Sequence, residues 1–426
     1  MTEQQIAELG PAFANYLGGF RGFFAQGRTA GHFRDFCRGL LSDLPRKSVE
    51  PIALAAGTAV RTLQEFLTTA TWDHLGLRDA LQQHLAEHRP AGADDGLGTI
   101  GIIDETSARK QGDKTPGVQR QYLGCLGKTD NGIVTVHLAV ARGRFKALLD
   151  ADLFLPESWD TDRERCQKAD IPASLCHRPK WQSALEQLAR AQGNGWHFDW
   201  LVGDADYGKV PAFLALLDLA GQPYVIQVPV SFSCRRGWSP KARRAADLMA
   251  GRAACRQPWQ RFRQAMQTGA DQTWEAKALP IRLSRPSPAA HRLLVARNAA
   301  TGEVKYFVTN APARVGLGPL LRVGLVRCSV EHGFRVSKSE IGLTHFEGRS
   351  YVGLMRHLVL CLTALAFVAL HTERLRGEKP RGDAGAGMPG VERPLRGPVA
   401  PATRDGSDPA YGRGHRVSPG AQPSCA

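Results

Sequence analysis

Two carboxylates stand where short apolar segments of the sequence end. Asp104 follows the apolar run 100–103, and Asp204 follows the run 201–203. A carboxylate at the end of a buried strand lies at the rim of a sheet, and a later helical segment presents Glu331. Divalent cations prefer such hard oxygen ligands, and two-metal phosphoryl transfer needs several of them held by separate elements. We therefore expect Asp104, Asp204 and Glu331 to bind two divalent metal ions.

The third carboxylate has basic neighbours on one face of its predicted helix. At about 100° per residue, Arg327 lies roughly 40° and Lys338 roughly 20° from Glu331, whereas Glu340 lies about 180° away. An acid between two bases suits a metal ligand flanked by contacts to DNA phosphates. Gly333 is an awkward residue in this helix, because glycine costs about 1 kcal/mol relative to alanine in a helix interior.

Each of these features has a plainer interpretation. Asp104 could be a helix cap or a turn aspartate. Asp206 would point to the same side as Asp204 if the strand continued, so either could be the ligand. The helix that carries Glu331 could be a solvated helix with ordinary ion pairs. His332, His345 and His357 are expected in packing or near DNA, because no Cys or His pair has the spacing of a zinc site.

Charge favours a polyanionic partner. The chain of 426 residues has a formal net charge of +15 and an ordinary hydrophobic fraction of 43%, so it can form a large core and attract phosphates. Its nine cysteines include no Cys-x-x-Cys pair, which argues against structural zinc and a disulfide framework. The longest apolar run near the C-terminus, 358–370, is too short to span a bilayer. The sequence begins without a secretory pattern, and a reduced cytoplasm is expected.

The middle of the chain predicts alternating strands and helices. Apolar residues from Ile6 to about Glu87 recur at helical spacing, which indicates a separate helical bundle followed by a linker near Arg89. Next come predicted strands at 99–104, 121–126 and 133–141, a helix at 181–191, a strand at 198–204, a helix at 210–219 and a strand at 224–230. The Asn131-Gly132 step favours a hairpin turn between the second and third strands. This order is that of an α/β, ribonuclease H-like core.

The remaining residues predict an insertion, further helices and a tail. The stretch 231–311 is basic and loop-rich, with β-type segments at 279–283, 293–297 and 304–310, and reads as an inserted β-containing subdomain. Helical periodicity resumes near Leu320 and continues, with a break near Gly342, to about Leu375. Beyond Arg376 the chain has few large apolar residues, so we expect a disordered tail. The predicted regions are 1–97, 98–230, 231–311, 312–375 and 376–426.

Several of these residues together resemble a family. They are similar to insertion-sequence DDE transposases of the bacterial type whose last acidic motif reads Tyr-x2-Arg-x3-Glu-x6-Lys. Arg327, Glu331 and Lys338 match that spacing, whereas Gly324 occupies the Tyr position. The resemblance covers roughly residues 60 to 372. It also includes Asp104-Glu105-Thr106, Gly117-Val118-Gln119-Arg120-Gln121-Tyr122, Leu155-Pro156-Glu157-Ser158-Trp159, Gly203-Asp204 with Tyr207-Gly208, and Gly342-Leu343 with His345, Glu347 and Arg349.

The resemblance implies a DNA transposase that cuts the ends of its element and joins them to target DNA. Asp104 and Asp204 would bridge two Mg²⁺ or Mn²⁺ ions, and Glu331 would complete one coordination sphere. Arg327 and Lys338 would hold phosphates.

The implied partners are double-stranded DNA with terminal inverted repeats and target DNA, with no membrane. Arg120 and Lys128 are further expected DNA contacts. The helical region 1–97 would bind the element's ends. A homodimer is compatible with these expectations, and the bacterial cytoplasm, in association with the nucleoid, is the expected location.

Two alternatives from other functional classes stay open. One is a nuclease of the same fold that hydrolyses DNA and cannot join it. The other is a DNA-binding protein of a decayed element that has lost catalysis, which the departure at Gly324 and the unusual tail would allow.

Overall fold

The N-terminal region is helical, as the spacing of its apolar residues predicts. The computed structural model describes residues 3–90, 95–237, 239–265 and 271–377 of the chain. The helices of this region are α1 (Glu3–Gly18), α2 (Gly27–Leu41), α3 (Val49–Ala55), α4 (Val60–Thr68) and α5 (His74–His88). Phe33, Phe36 and Phe66 are buried on their inner faces, because an amphipathic helix turns one stripe away from water. Of the predicted linker, residues 91–94 lie outside the described part.

A mixed sheet forms the centre of the fold. Its first strands and the helices between them are β1 (Ile100–Arg109), β2 (Gln119–Leu123), β3 (Lys128–Arg142), β4 (Phe145–Leu153), α6 (Glu157–Asp160), α7 (Arg163–Lys168), α8 (Lys180–Gly193), β5 (Trp200–Gly203), α9 (Ala205–Gly208), α10 (Pro211–Leu219) and β6 (Tyr224–Val228). Strands β1, β5 and β6 run parallel in that order, and β3 pairs antiparallel with β1 on its other side. This arrangement agrees with the predicted ribonuclease H-like α/β core.

Strand β1 is longer than predicted. It continues past Asp104 to Arg109, because β3 pairs with it along its whole length. On the other side, the pairing with β5 extends only to Ile102. Asp104 therefore lies inside a strand, two residues beyond the end of the parallel pairing, and not at the end of the strand.

The hairpin of β2 and β3 also differs from its prediction. The chain turns at 124–127, and Asn131-Gly132 lies within β3. A Cβ at Gly132 would stand 2.5 Å from the Ala108 carbonyl oxygen, so glycine permits a close approach of two backbones here and does not form the turn. The Cys125 amide donates to Ser107 Oγ at 3.1 Å. The tip of this hairpin thus lies against β1.

Strand β4 has no counterpart among the predicted elements. It pairs with β3 and carries two acids in buried positions, Asp150 and Asp152. Arg190 of α8 donates to both carboxylates at 2.7 Å, and Gln82 of α5 donates to Asp150 at 3.0 Å. Burial and the neighbouring Asp152 raise the pKa of Asp150, while Arg190 opposes this rise. The network therefore joins the N-terminal helices to the central sheet through buried polar groups that hydrogen-bond to one another.

The insertion extends the central sheet. Its elements are β7 (Ser233–Cys234), β8 (Arg243–Arg244), α11 (Ala245–Ala250), α12 (Arg252–Cys255), β9 (Gln260–Ala265), β10 (Asp271–Ile281), β11 (His291–Asn298) and β12 (Val304–Thr309). Strand β12 pairs antiparallel with β6, and β11, β10 and β9 follow in order. Asp218 of α10 accepts hydrogen bonds from Ser287 at 2.7 Å and Asn310 at 3.1 Å, and contacts His291 Nε2 at 2.9 Å. The three predicted β-type segments correspond to parts of β10, β11 and β12.

The C-terminal helices are α13 (Leu317–Val326), α14 (Cys328–Ser339) and α15 (Tyr351–Gly377). The predicted break near Gly342 is present between α14 and α15. By length and composition, Tyr351–Thr372 could cross a membrane, but 78% of its most apolar window is buried inside the fold. The apolar run 358–370 is part of this longer helix, which also contains buried Arg356 and His357.

Helix α15 completes the core of the N-terminal helices. Phe367 packs on Phe13 with ring centroids 4.7 Å apart, and Arg356 donates to the Phe66 and Trp72 carbonyl oxygens. The expectation of a separate bundle needs this correction, because a distant helix supplies part of its interior. The predicted tail lies outside the described residues from 378 onwards.

Candidate active site

The pairing of β1 with β5 brings two of the predicted ligands to neighbouring strands. Ile102 pairs with Val202 in parallel register, and Asp104 and Asp204 each follow their paired residue by two positions. Neighbouring strands lie about 4.8 Å apart. Burial raises the pKa of Tyr207 well above its ordinary value, and the charges of Glu105, Asp204 and Asp104 raise it further. The two aspartates thus share one electrostatic environment.

Asp104 is held by a mostly buried ion pair. Arg327, between α13 and α14, donates from Nη1 to Asp104 Oδ2 at 3.1 Å, and the two side chains are 18% and 14% exposed. The other oxygen, Oδ1, accepts from the Glu105 amide at 2.8 Å. A charge-assisted bond in partial burial fixes the carboxylate more firmly than an exposed pair would.

Lys338 approaches the same carboxylate from the far end of α14. Burial lowers the pKa of Lys338, while the charges of Cys125 and Asp104 act in the opposite direction. Arg327 and Lys338 are eleven residues apart in sequence, yet both lie near Asp104. The tip of the β2–β3 hairpin, which carries Cys125, is part of the same neighbourhood.

The third predicted ligand belongs to the helix between these two cations. Glu331 lies in α14, and the side chains of 328–332 are outside the described residues. Glu340 is exposed at the end of α14. Its charge opposes the burial that lowers the pKa of Lys47 in the N-terminal region. Glu340 thus acts on a different part of the molecule from Arg327 and Lys338.

Asp204 serves as a helix cap as well as a candidate ligand. Its Oδ1 accepts from the amides of Asp206 at 2.9 Å and Tyr207 at 3.4 Å, which caps α9. The capping bonds use one carboxylate oxygen, so they orient the side chain without consuming both oxygens. Asp206 is 66% exposed and pairs with Lys209 at 2.6 Å. Asp204 therefore has a structural role as the cap of α9, and it is more rigidly held than Asp206.

The site contains a pair that the sequence did not single out. Lys180, at the start of α8, donates to Glu105 Oε2 at 2.5 Å. Burial raises the pKa of Glu105, and Asp204 and Asp206 also raise it, while Lys180 opposes them. The position of Glu105 next to Asp104 was a signal for it. Nothing in the local sequence connects Lys180 with a strand that lies 75 residues away.

The histidine opposite Asp104 is a packing residue. His137 pairs with Asp104 across β1 and β3, is fully buried, and packs against Phe334 with ring centroids 5.1 Å apart. Burial and the charge of Lys338 lower the pKa of His137 to about 3. It is therefore neutral near pH 7 and can add no positive charge to the site. His357 is similarly buried and contacts the Gly342 carbonyl at 3.0 Å, as its predicted packing role requires.

The donor set suits hard divalent cations. Asp104 and Asp204 supply carboxylate oxygens, the ligands that Mg²⁺ prefers. Burial raises the pKa of the neighbouring Glu105, and the charges of Asp204 and Asp206 raise it further, because negative charge is unfavourable in a partly buried site. Within the described residues, no three Asp, Glu, His or Cys side chains are grouped as a complete metal site. The expected third carboxylate, Glu331, is not among those side chains.

Arg120 and Lys128 lie apart from the carboxylates along the sheet. Both are exposed on the β2–β3 hairpin. In the strand register Arg120 lies opposite Asn131 and Lys128 lies opposite Leu123. Hydrogen bonding from the Asn131 amide lowers the pKa of Asp130, and Lys128 and Arg120 contribute to this shift. These two cations therefore form a second basic patch, on different elements from Arg327 and Lys338.

Gly324 has a structural reason to differ from the family's tyrosine. A Cβ at this position would stand 3.0 Å from the Phe307 ring and 3.2 Å from Val225. Helix α13 thus packs directly on β12 and β6 at Gly324. A large side chain could enter only if the helix moved away from the sheet.

Comparison with known proteins matches the chain to a protein family and to a relative. A family model described as DDE superfamily endonuclease matches residues 20–287, a stretch that includes Asp104 and Asp204 and ends before Glu331. The chain is also 33% identical over 219 residues to a protein of Microchaete diplosiphon named "Probable transposase for insertion sequence element IS701". This similarity covers 50% of the chain and 52% of that relative. The chain thus spans about half the length of the curated relative.

Proposed function

Because the chain belongs to the DDE superfamily of endonucleases, we propose that it is an insertion-sequence transposase, which cleaves DNA at the ends of its element and joins those ends to target DNA. The observation that carries this proposal is the register of β1 and β5, because Asp104 lies on β1 and Asp204 directly follows the end of the neighbouring β5. The ion pair of Asp104 with Arg327 supports it, because it brings α14, the helix of the third acid, to the same carboxylate.

The proposed site has three ligands from three elements. Asp104, Asp204 and Glu331 would hold two Mg²⁺ or Mn²⁺ ions. Held there, the ions would supply activation of an attacking oxygen and stabilisation of the leaving oxygen in an in-line displacement. The cap of α9 orients Asp204, and Arg327 orients Asp104.

The cations around the carboxylates would bind DNA. Lys338 and Arg327 would hold phosphates next to the reacting one. Arg327 can do so while it stays bonded to Asp104, because its planar guanidinium has donors on several edges. Arg120 and Lys128 would contact the backbone farther along the duplex. Glu105 and Lys180 form an ion pair beside the site, so the charge of Glu105 would not repel DNA there.

The N-terminal helices would read the element's ends. We assign residues 1–97 to the recognition of terminal inverted repeats, because the region is helical and lies outside the core sheet, and helices are common readers of the major groove. Target DNA is the second partner, a homodimer is the proposed assembly, and the bacterial cytoplasm is the proposed location. The burial of the apolar stretch in α15 supports a function away from membranes.

A two-step assay tests the function. The full chain is incubated with Mg²⁺ and a duplex that carries the inverted repeats flanking its gene, and then with a pre-cleaved end and a target plasmid. We expect cleavage at the repeat boundary and joining of the pre-cleaved 3′ end to the plasmid. Cleavage without joining would indicate a nuclease of this fold. Binding without either reaction would indicate a chain that has lost catalysis.

A further inference from the structure

The positive charge of the chain is concentrated in the insertion. Residues 231–311 contain fifteen Lys and Arg against four Asp and Glu, a net +11 of the chain's +15. Residues 1–97 contain nine Lys and Arg against eleven Asp and Glu, a net −2. Affinity for a nucleic-acid backbone depends mainly on how many phosphates are neutralised. The region assigned to reading the element's ends therefore lacks the charge excess that holds DNA, and the insertion has it.

Seven of the insertion's cations are brought together by three short segments, which we call the basic ribbon. Strands β7 and β8 pair through Ser233 with Arg244 and Cys234 with Arg243. Beyond them, Arg235 and Arg282 exchange two backbone hydrogen bonds of 2.8 Å. The cations of the basic ribbon are Arg235, Arg236, Lys241, Arg243, Arg244, Arg282 and Arg285. Six of the seven are exposed, and Arg235 is half-buried.

The basic ribbon contains no acid of its own. Neither 231–246 nor 282–290 includes an Asp or Glu. Elsewhere in the insertion some bases are paired with an acid, since Glu275 pairs with Arg261 at 2.9 Å and Arg297 at 2.7 Å. Like charges gathered without local acids repel one another and gain from a polyanion that lies across them. Much of the charge excess of the insertion thus lies on the basic ribbon.

The basic ribbon starts close to the carboxylates. Strand β6 lies beside β5, whose end carries Asp204, and β6 ends at Val228. The five residues from there to Ser233 can span at most about 17 Å. That length corresponds to about five base-pair steps at roughly 3.4 Å each. The Ala245 amide donates to the Phe232 carbonyl at 2.8 Å, so Arg244 stays near the same strand end.

We propose that the basic ribbon binds the sugar–phosphate backbone of duplex DNA a few base pairs from the carboxylates, and that it supplies the larger part of the chain's sequence-independent DNA affinity. The inference rests on the proposed function, which supplies DNA as the partner. It separates two tasks: the N-terminal helices select the sequence, and the basic ribbon holds the duplex regardless of sequence.

Salt titration of binding tests the proposal in the full-length protein. We compare wild type with R243Q/R244Q on a duplex of random sequence and on one with the terminal repeat. Loss of two phosphate contacts should reduce the slope of log affinity against log salt by about 1.8, and affinity should fall on the order of thirty-fold near 0.15 M salt. Both duplexes should lose affinity by the same factor, so the preference for the repeat should persist.

Two matched variants complete the test. R144Q/K168Q removes the same charge from exposed positions outside the insertion and should leave the slope unchanged. R243K/R244K keeps the charge and should retain most of the affinity. A wild-type slope for R243Q/R244Q with an intact melting curve would overturn the assignment of the basic ribbon. If the wild-type protein itself binds DNA without salt dependence, the proposed function fails instead.

Discussion

Asp104 and Asp204 are already oriented by neighbouring groups, so each carboxylate can be removed without removing the groups that orient it. We expect alanine at Asp104, Asp204 or Glu331 to abolish cleavage while binding to the element's ends is kept, because the proposed function assigns these groups to the reaction and not to docking. Metal ligation contributes several kcal/mol to a transition state, so the loss should be on the order of a thousand-fold or more.

The matched controls are acids near the same elements. Glu340 is exposed at the end of α14, and Asp206 pairs with Lys209 at the surface, so alanine at either should leave single-turnover cleavage nearly unchanged. Substantial cleavage by a variant of Asp104, Asp204 or Glu331 would remove that residue from the site. An inactive Glu340→Ala beside an active Glu331→Ala would mean that the opposite face of α14 is the functional one.

Two helical glycines should respond to alanine in opposite directions. A Cβ at Gly324 would press on Phe307 and Val225, so Gly324→Ala should lower the free energy of unfolding by about 1–3 kcal/mol. A Cβ at Gly333 meets no heavy atom within 4 Å, so Gly333→Ala should raise it by up to about 1 kcal/mol through helix propensity. Urea denaturation of the two variants measures both. Equal stability of the Gly324 variant and wild type would show that α13 can shift on the sheet.

At the scale of elements, Asp218 is a buried polar contact that joins α10 to the insertion. Asp218→Ala would leave Ser287, His291 and Asn310 without their shared acceptor, so unfolding should become easier by about 3 kcal/mol. Asp160→Ala, which breaks a surface pair with Arg163, should cost less than about 1 kcal/mol. Thermal melting compares the two. A loss no larger than that of the control would show that the insertion does not depend on this contact.

The contribution of Asp218 should also depend on pH. Burial acts to raise the pKa of Asp218, but the hydrogen bonds from His291 and Ser287 outweigh it and lower the pKa below its ordinary value of 3.8. A carboxyl with a depressed folded pKa stabilises the protein above its ordinary pKa and loses that effect as pH falls through the folded pKa. The stability difference between wild type and Asp218→Ala should therefore be full near pH 6 and shrink below pH 4. Chemical denaturation at both pH values measures it.

Elements with clear periodicity could be predicted closely, and those with buried charge could not. Helix α8 and strands β5 and β6 lie within about two residues of their predicted bounds, because their apolar patterns match one period. Strand β4 was missed, since Asp150 and Asp152 interrupt its apolar residues and only Arg190, from a distant helix, makes their burial possible. Lys180 was missed for the same reason. Local patterns cannot show which distant cation will meet an acid.

For the whole molecule, metal identity should separate binding from cleavage. We expect Mg²⁺ and Mn²⁺ to support cleavage and Ca²⁺ to support mainly binding, because Ca²⁺ accepts looser and larger coordination than an in-line displacement tolerates. Parallel gel-shift and cleavage assays with each ion, on the same duplex, make the comparison. Cleavage that persists in excess chelator would exclude a metal-dependent reaction.

The insertion continues the central sheet without a break from β6 through β12 to β9. Backbone hydrogen bonds join each pair of adjacent strands along this path, so the sheet holds the insertion's strands at fixed distances from the carboxylates. A nucleic acid bound to one of these strands would therefore meet the carboxylates at a fixed distance, which is a multiple of the strand spacing of about 4.8 Å. The site of the cut would then be set by the width of the protein, and a deleted strand would move it by a whole increment.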